Sequence, residues 1–364
     1  MSVNVAFKRQ PLETLVGGVS PLDLSNLSVG LLESAHQFIE AYGYNVEDPD
    51  DLKIVQHIFR QSLALVRDKL LEEDEQIPNE IVDPNELKDI GQLFLYASNL
   101  DGKWDHLQKW ACATLKVMHV FAHLENDIFH LFPEEIQAQV IKPFQSYIYE
   151  DSVTGKSTLG YSSDGDQIII ERFEVKPTKS LTSSVIKLLA KKDMFAMTLL
   201  DKVGVRFVTK TVFDGFRVMR FLHEQSLVSF PNSIVDQITN TIYPVNLFFE
   251  AMDELRSRSP MSSQEEIEEV LTRKLDQHFS RAEFVEKENI FSGDSYKFMK
   301  FISRRLIKVN LPDGKLIRFF YPFEVQIMDY ETYLKNLQGP QSHKQYKERQ
   351  TKAARRRIFG IKSK

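Results

Sequence analysis

The chain has 364 residues, 42% hydrophobic and 27% charged, the make-up of an ordinary globular protein long enough for about two cores. Its formal charge of −5 is uneven, because residues 344–364 carry nine Lys/Arg against one Glu and leave the remainder near −13. A single cysteine, Cys112, excludes a disulfide framework and a cysteine-rich zinc module, and no run of ~18 uncharged apolar residues offers a membrane span, so a cytoplasmic location is expected.

The first residues, MSVNVAFKRQPLETLVGG, hold no continuous apolar signal-like region. From about Ser25 to Tyr149 the pattern is helical. LLESAHQFIEAYGY places Leu32, Ala35, Phe38 and Ile39 on one helical face, and LKIVQHIFRQSLALVRDKLLEE extends such a stripe behind the acidic start DPDD. A polar, proline-bearing loop follows. NELKDIGQLFLYAS and HLQKWACATLKVMHVFAHLENDIFHLF predict two more helices, and PEEIQAQVIKPFQSYIYE predicts a last one opening on Pro133. The stretch 151–167 is rich in Gly, Ser and Asp and reads as a loop or boundary.

After it the period changes. QIIIERFEV is a predicted strand, KSLTSSVIKLLAKK a helix, VGVRFVTK a strand and VFDGFRVMRFLHEQ a helix. VNLFFEAMDEL and SQEEIEEVLTRKLDQHF predict two further helices near 245–279. Two strands then meet at the hairpin turn Pro312-Asp313-Gly314, and a polar helix closes the chain. The expected fold class is α+β: a helical N-terminal domain over 1–150, a mixed sheet flanked by helices over 151–343 with a helical insertion near 245–279, and a basic C-terminal helix or tail over 344–364.

Asp201 and Arg206 bracket the entry to a buried strand in LLDKVGVRFV. Asp201 can serve there as a hard-metal ligand, or pair with Arg206 or cap a backbone amide. Along FYPFEVQIMD, alternation puts Phe323, Val325 and Ile327 on one face and Glu324, Gln326 and Met328 on the other. A Glu and a Gln side by side on an apolar strand need a metal, a nucleotide or solvent to meet them. His119, His123 and Asp127 share one helical spacing, with His130 close by, and packing in a core outweighs metal binding for them. The basic tail is either a handle for phosphates, RNA or acidic partners, or a solvated helix end.

Taken in order, KSLTSSVIKLLAKK, LLDKVGVRFV, SYKFMKFI, FEVQIMD and SHKQYK resemble the landmarks of RelA/SpoT-type synthetase domains, over roughly residues 170–350. Seventeen positions separate Ser184 from Asp201, and nineteen separate Glu324 from His343. The layout is similar to an uncharacterised bacterial branch of that fold.

The resemblance implies a nucleotidyltransferase fold and a Mg²⁺-dependent transfer of pyrophosphate from ATP to a nucleotide or RNA acceptor, RNA engaging the tail. It gives Asp201 and Glu324 the roles of metal ligands and catalytic carboxylates. Lys179, Ser184, Lys187, Arg206, Tyr296, Lys300, Gln326, His343 and Lys347 become the nucleotide-binding set. The alternative function is a catalytically degenerate nucleotide- or RNA-binding regulatory module. Several family features are altered. Only Lys179 stands for the Arg-x-Lys donor pair, Lys300 replaces a histidine, and Met328-Asp329 follows the Glu-Val-Gln-Ile strand. No His…His-Asp…Asp hydrolase pattern is present, so no hydrolase activity is expected.

Overall fold

Local chemistry starts and stops the helices. In helix Pro49–Leu65, Asp48 caps the amides of Asp50 and Asp51, Pro49 occupies the first turn, and two more carboxylates sit at the positive end of the dipole. The acidic DPDD start therefore behaves as expected. The computed structural model describes residues 9–151, 156–160, 167–176, 180–191, 200–259, 261–286, 297–337 and 343–361. Among these residues no helix is long and apolar enough to cross a membrane.

The chain forms two compact units, and neither is a continuous stretch. The first comprises residues 1–127, 180–199 and 347–364. Its core gathers Val55, Ile58, Leu93, Trp110, Val117 and Phe121 from the N-terminal helices, Val185, Leu188 and Leu189 from helix Leu181–Ala190, and Ala354 and Ile358 from helix His343–Ile358. The division expected from sequence, at residue 150 with a separate tail after 343, thus differs from the packing. The apolar faces of two later helices enter the core of the N-terminal helices.

This changes the reading of the basic tail. Arg355 donates to the carbonyl of Leu70, which ends a π-helical turn Val66–Leu70, and pairs with Glu72 and Glu75. Arg357, whose side chain is 7% exposed, grips Asp23 and donates to the carbonyls of Leu188, Leu189 and Lys191. Those two arginines are internal fasteners, while Lys347, Lys352 and Arg356 stay exposed.

The second unit, residues 128–179 and 200–346, is built on a seven-stranded sheet. Its strands are β1 Ile148–Glu150, β2 Ser157–Leu159, β3 Ile168–Val175, β4 Gly204–Thr209, β5 Thr239–Asn240, β6 Met299–Asn310 and β7 Leu316–Asp329, in the order β1-β2-β3-β4-β7-β6-β5. Every pairing is antiparallel except β4 with β7. The fold class is α+β with a mixed sheet, as expected. The region 151–167 was expected as a loop; residues 157–159 instead form an interior strand, since their backbone amides and carbonyls find partners on β1 and β3. The β6–β7 turn falls at Asp313 and Gly314, where φ of +81° suits glycine.

One sheet face is apolar. Ile168, Ile170, Val205, Phe207, Phe323, Val325 and Ile327 pack there with Ile136, Val140 and Phe144 of helix Pro133–Gln145 and with Val218 and Leu222 of helix Val212–Glu224. Helices Val245–Arg258 and Gln264–His278, the expected insertion, join the same core through Leu247, Ala251, Val270 and Leu271. The other face carries the polar residues.

Candidate functional site

The parallel register of β4 and β7 sets the site. Gly204 lies opposite Glu324, Arg206 opposite Gln326 and Val208 opposite Met328, so the polar residues of both motifs share a face. On the flanking strands, Glu174 is opposite Arg206 and Lys300 is opposite Gln326. A polar row, Glu174–Arg206–Gln326–Lys300, therefore crosses four strands.

Glu324 and Gln326 are each only 4% exposed, so solvent on an open sheet face does not account for them. Glu324 is met by the ammonium of Lys176, one residue past β3, in a buried ion pair. Burial pushes the Lys176 ammonium below its ordinary value; Glu324 and Asp201 both pull it back up, and Arg206 adds to the lowering. Asp201, 123 positions before Glu324 in sequence, makes the weakest of these contributions. A glycine is required beside them. A Cβ on Gly204 would stand 2.8 Å from the Glu324 carbonyl oxygen and 3.3 Å from Lys176 Cδ.

Arg206 holds the centre of the row, donating through Nη1 to Glu174 Oε2 (2.9 Å) and through Nε to Gln326 Oε1 (3.1 Å). Glu174 also accepts from the Tyr333 hydroxyl (2.6 Å), which in turn accepts from Arg172 (2.8 Å). Burial pushes the Glu174 carboxyl up, but the Tyr333 hydrogen bond and the Arg206 and Arg172 charges outweigh it and hold the group below its ordinary value. The arrangement is a preformed, largely desolvated lattice of carboxylates and cations, able to orient phosphates and to hold a proton acceptor at Glu324.

Of the residues expected at the site, the structure brings together Asp201, Arg206, Glu324, Gln326 and Lys300. Lys179 and Tyr296 lie outside the described residues, as does the side chain of His343. Ser184, Lys187 and Lys347 belong to the first unit. Ser180 opens the helix of Ser184, capping the Ser183 amide, while Ser184 is buried a full turn further in. Asp127 was expected on one helix with His119 and His123, but helix Asp105–Glu125 ends before it. Among the described residues no cluster of three or more His, Cys, Asp or Glu could hold a metal ion.

Lys176, Glu174 and Arg172 were missed. The signal was the two-residue spacing of three charges in ERFEVK, but a β-bulge between Ile170 and Arg172 hides which face they take. Ile168 and Ile170 point into the core, and strict alternation would send Arg172, Glu174 and Lys176 after them. The extra residue reverses the phase, so Phe173 packs with the core and the charges face the site.

No family model matches this chain, and no curated protein matches it. Solved structures similar to it include two of related kind. A GTP pyrophosphokinase family protein from Streptococcus pneumoniae is 15% identical, with 52% of this chain and 70% of that one covered at a TM-score of 0.24. Small alarmone synthetase 1 from Bacillus subtilis is 12% identical, with 62% and 84% covered at a TM-score of 0.29. Similarity at this level carries no functional argument.

Proposed function

We propose that the polar sheet face is the active site of a Mg²⁺-dependent pyrophosphotransferase that uses ATP and a nucleotide or RNA acceptor. One observation carries the reading: the Lys176–Glu324 ion pair sits beside the row Glu174–Arg206–Gln326–Lys300, in which Arg206 and Gln326 come from two separate RelA/SpoT-like motifs. Mg²⁺ is commonly held by one or two carboxylates, its remaining positions going to substrate phosphates and water, and the pair Asp201 and Glu324 fits that pattern.

When bound, Mg²⁺ would offset the charge that develops on the transferred phosphoryl group. Arg206, fixed by Glu174 and Gln326, keeps one orientation without reorganising as charge builds, and Lys300 adds a second cation on the same row. Glu324 is placed to take the proton of the acceptor hydroxyl, while Lys176 holds its orientation.

A second reading has its own observation. The Lys176 ammonium already engages Glu324, as a resident cation would in a module that binds nucleotides without turning them over. Purified full-length protein incubated with ATP, Mg²⁺ and a panel of GDP, GTP, AMP and tRNA separates the two. The proposal expects AMP release with a pyrophosphorylated acceptor. ATP binding by calorimetry with no AMP released supports the second reading, and absence of ATP binding removes both.

A further inference from the structure

The first unit contains a pocket that the proposed transfer does not use. Its volume is ≈ 410 Å³, inside the ~300–1,000 Å³ range of small-molecule sites, and its lining is overwhelmingly apolar. Leu22, Ile39, Val55, Ile58, Phe94 and Met118 are part of that wall, all from the helical core. Close-packed interiors leave few voids larger than a water molecule, so an apolar space of this size is shaped for an occupant.

Neutral polar residues (Gln10, Thr14, Asn26, Ser28, Tyr42 and Tyr44) line parts of it, and its lysine comes from a single helix. From Asp105–Glu125, Cys112, Lys116 and His119 face the pocket at spacings of four and three residues. His119 is hydrogen-bonded to the Tyr42 hydroxyl (2.8 Å), and burial lowers its pKa to about 4, so it is neutral. Lys116 differs. The carboxylate acting on it, Asp23, is already gripped at both oxygens by Arg357. Among the described residues, the hydrogen bond of the Lys116 ammonium is to the Ile358 carbonyl at 3.4 Å, the long limit for such a bond. A mostly buried cation with so weak a partner, at the wall of an apolar chamber, is complementary to an anion carrying a hydrocarbon body.

We propose that this pocket binds an amphipathic carboxylate, a medium-chain fatty acid by chemical class, with its chain in the apolar chamber and its head on Lys116. Binding would come chiefly from the chain, each buried methylene adding roughly fourfold in affinity, while the Lys116 pair selects the acid over the matching alcohol.

The test is calorimetric titration of the full chain with octanoate, decanoate, dodecanoate and dodecanol. Affinity is expected to rise with chain length until the pocket is full, and dodecanoate to bind at least tenfold tighter than dodecanol. Lys116→Met keeps the apolar stem and is expected to erase that preference while retaining the chain-length dependence. Ala122→Phe, which fills the chamber from the same helix face, is expected to abolish binding. Thermal melts identify any variant that fails to fold. The native thiol gives a second readout independent of variants: Cys112, the single cysteine, lines the pocket, so dodecanoate should slow its alkylation by an apolar maleimide. Equal affinity for acid and alcohol, no dependence on chain length, or alkylation unchanged by saturating dodecanoate would overturn the proposal.

Discussion

Two side chains show how burial sets chemistry at the scale of single residues. Glu324 is paired with Lys176 and is itself buried. Glu324→Gln removes the proton acceptor and is expected to lower turnover at least ~10²-fold, whereas Lys176→Met leaves Glu324 buried without its cation and is expected to lower both activity and stability. Steady-state kinetics beside thermal melts distinguish the two outcomes. His119 gives a pH prediction. Its folded pKa of about 4 lies below the ordinary 6.5, through burial first and the neighbouring His123 second. Between those values the unfolded chain binds more protons, so stability is full above pH ~6.5 and is lost as pH falls towards 4, by on the order of 2 kcal/mol. His119→Asn should flatten that part of the denaturant-derived pH profile, and a profile identical to the parent chain's would refute the assignment.

At the scale of elements, the parallel pair β4 and β7 does the positioning, and it depends on one missing side chain. Gly204→Ala puts a methyl 2.8 Å from the Glu324 carbonyl oxygen, a backbone atom that cannot rotate away. The expected cost is ~1–3 kcal/mol with a matching loss of activity, read by urea denaturation and initial rates. Helix His343–Ile358 is the second instructive element. Its periodicity and charge read equally as a solvated arm, yet Ala354 and Ile358 are buried and Arg357 ties together two other segments of its unit. Arg357→Ala strands Asp23 and three carbonyls, so a loss of about 3 kcal/mol is expected in chemical denaturation. A change under 1 kcal/mol would return the helix to the solvated reading.

At the scale of the whole molecule, the chain is woven rather than concatenated. The helical unit needs residues 180–199 and 347–364, and the sheet unit needs helix Pro133–Gln145. Fragments 1–150 and 151–364 expressed separately are therefore expected to lack cooperative unfolding and dispersed amide resonances. Two well-folded fragments would contradict the shared cores. Among the described side chains of the tail, Lys347, Lys352 and Arg356 are the exposed cations, so replacing these three with Gln should weaken any RNA binding through the tail and flatten its dependence on salt, as read by titration at two salt concentrations.

Sequence alone determined whatever depends on neighbours along the chain. Apolar periods of 3.6 and 2 marked most helices and the long strands, Asp48 and Pro49 marked a helix start, and Asp313-Gly314 marked the hairpin. Alternation in FEVQIMD placed Glu324 and Gln326 opposite the core, because a regular strand fixes the phase of its own side chains. Tertiary structure decided what depends on distant partners. The bulge after Ile170 turned Glu174 and Lys176 towards the site, since a single extra residue reverses strand phase and only the pairing partner reveals it. The same holds for the basic tail and for the helix of Ser184. Neither helix showed in its own sequence which core would bury it, and packing between segments far apart in the chain settled that.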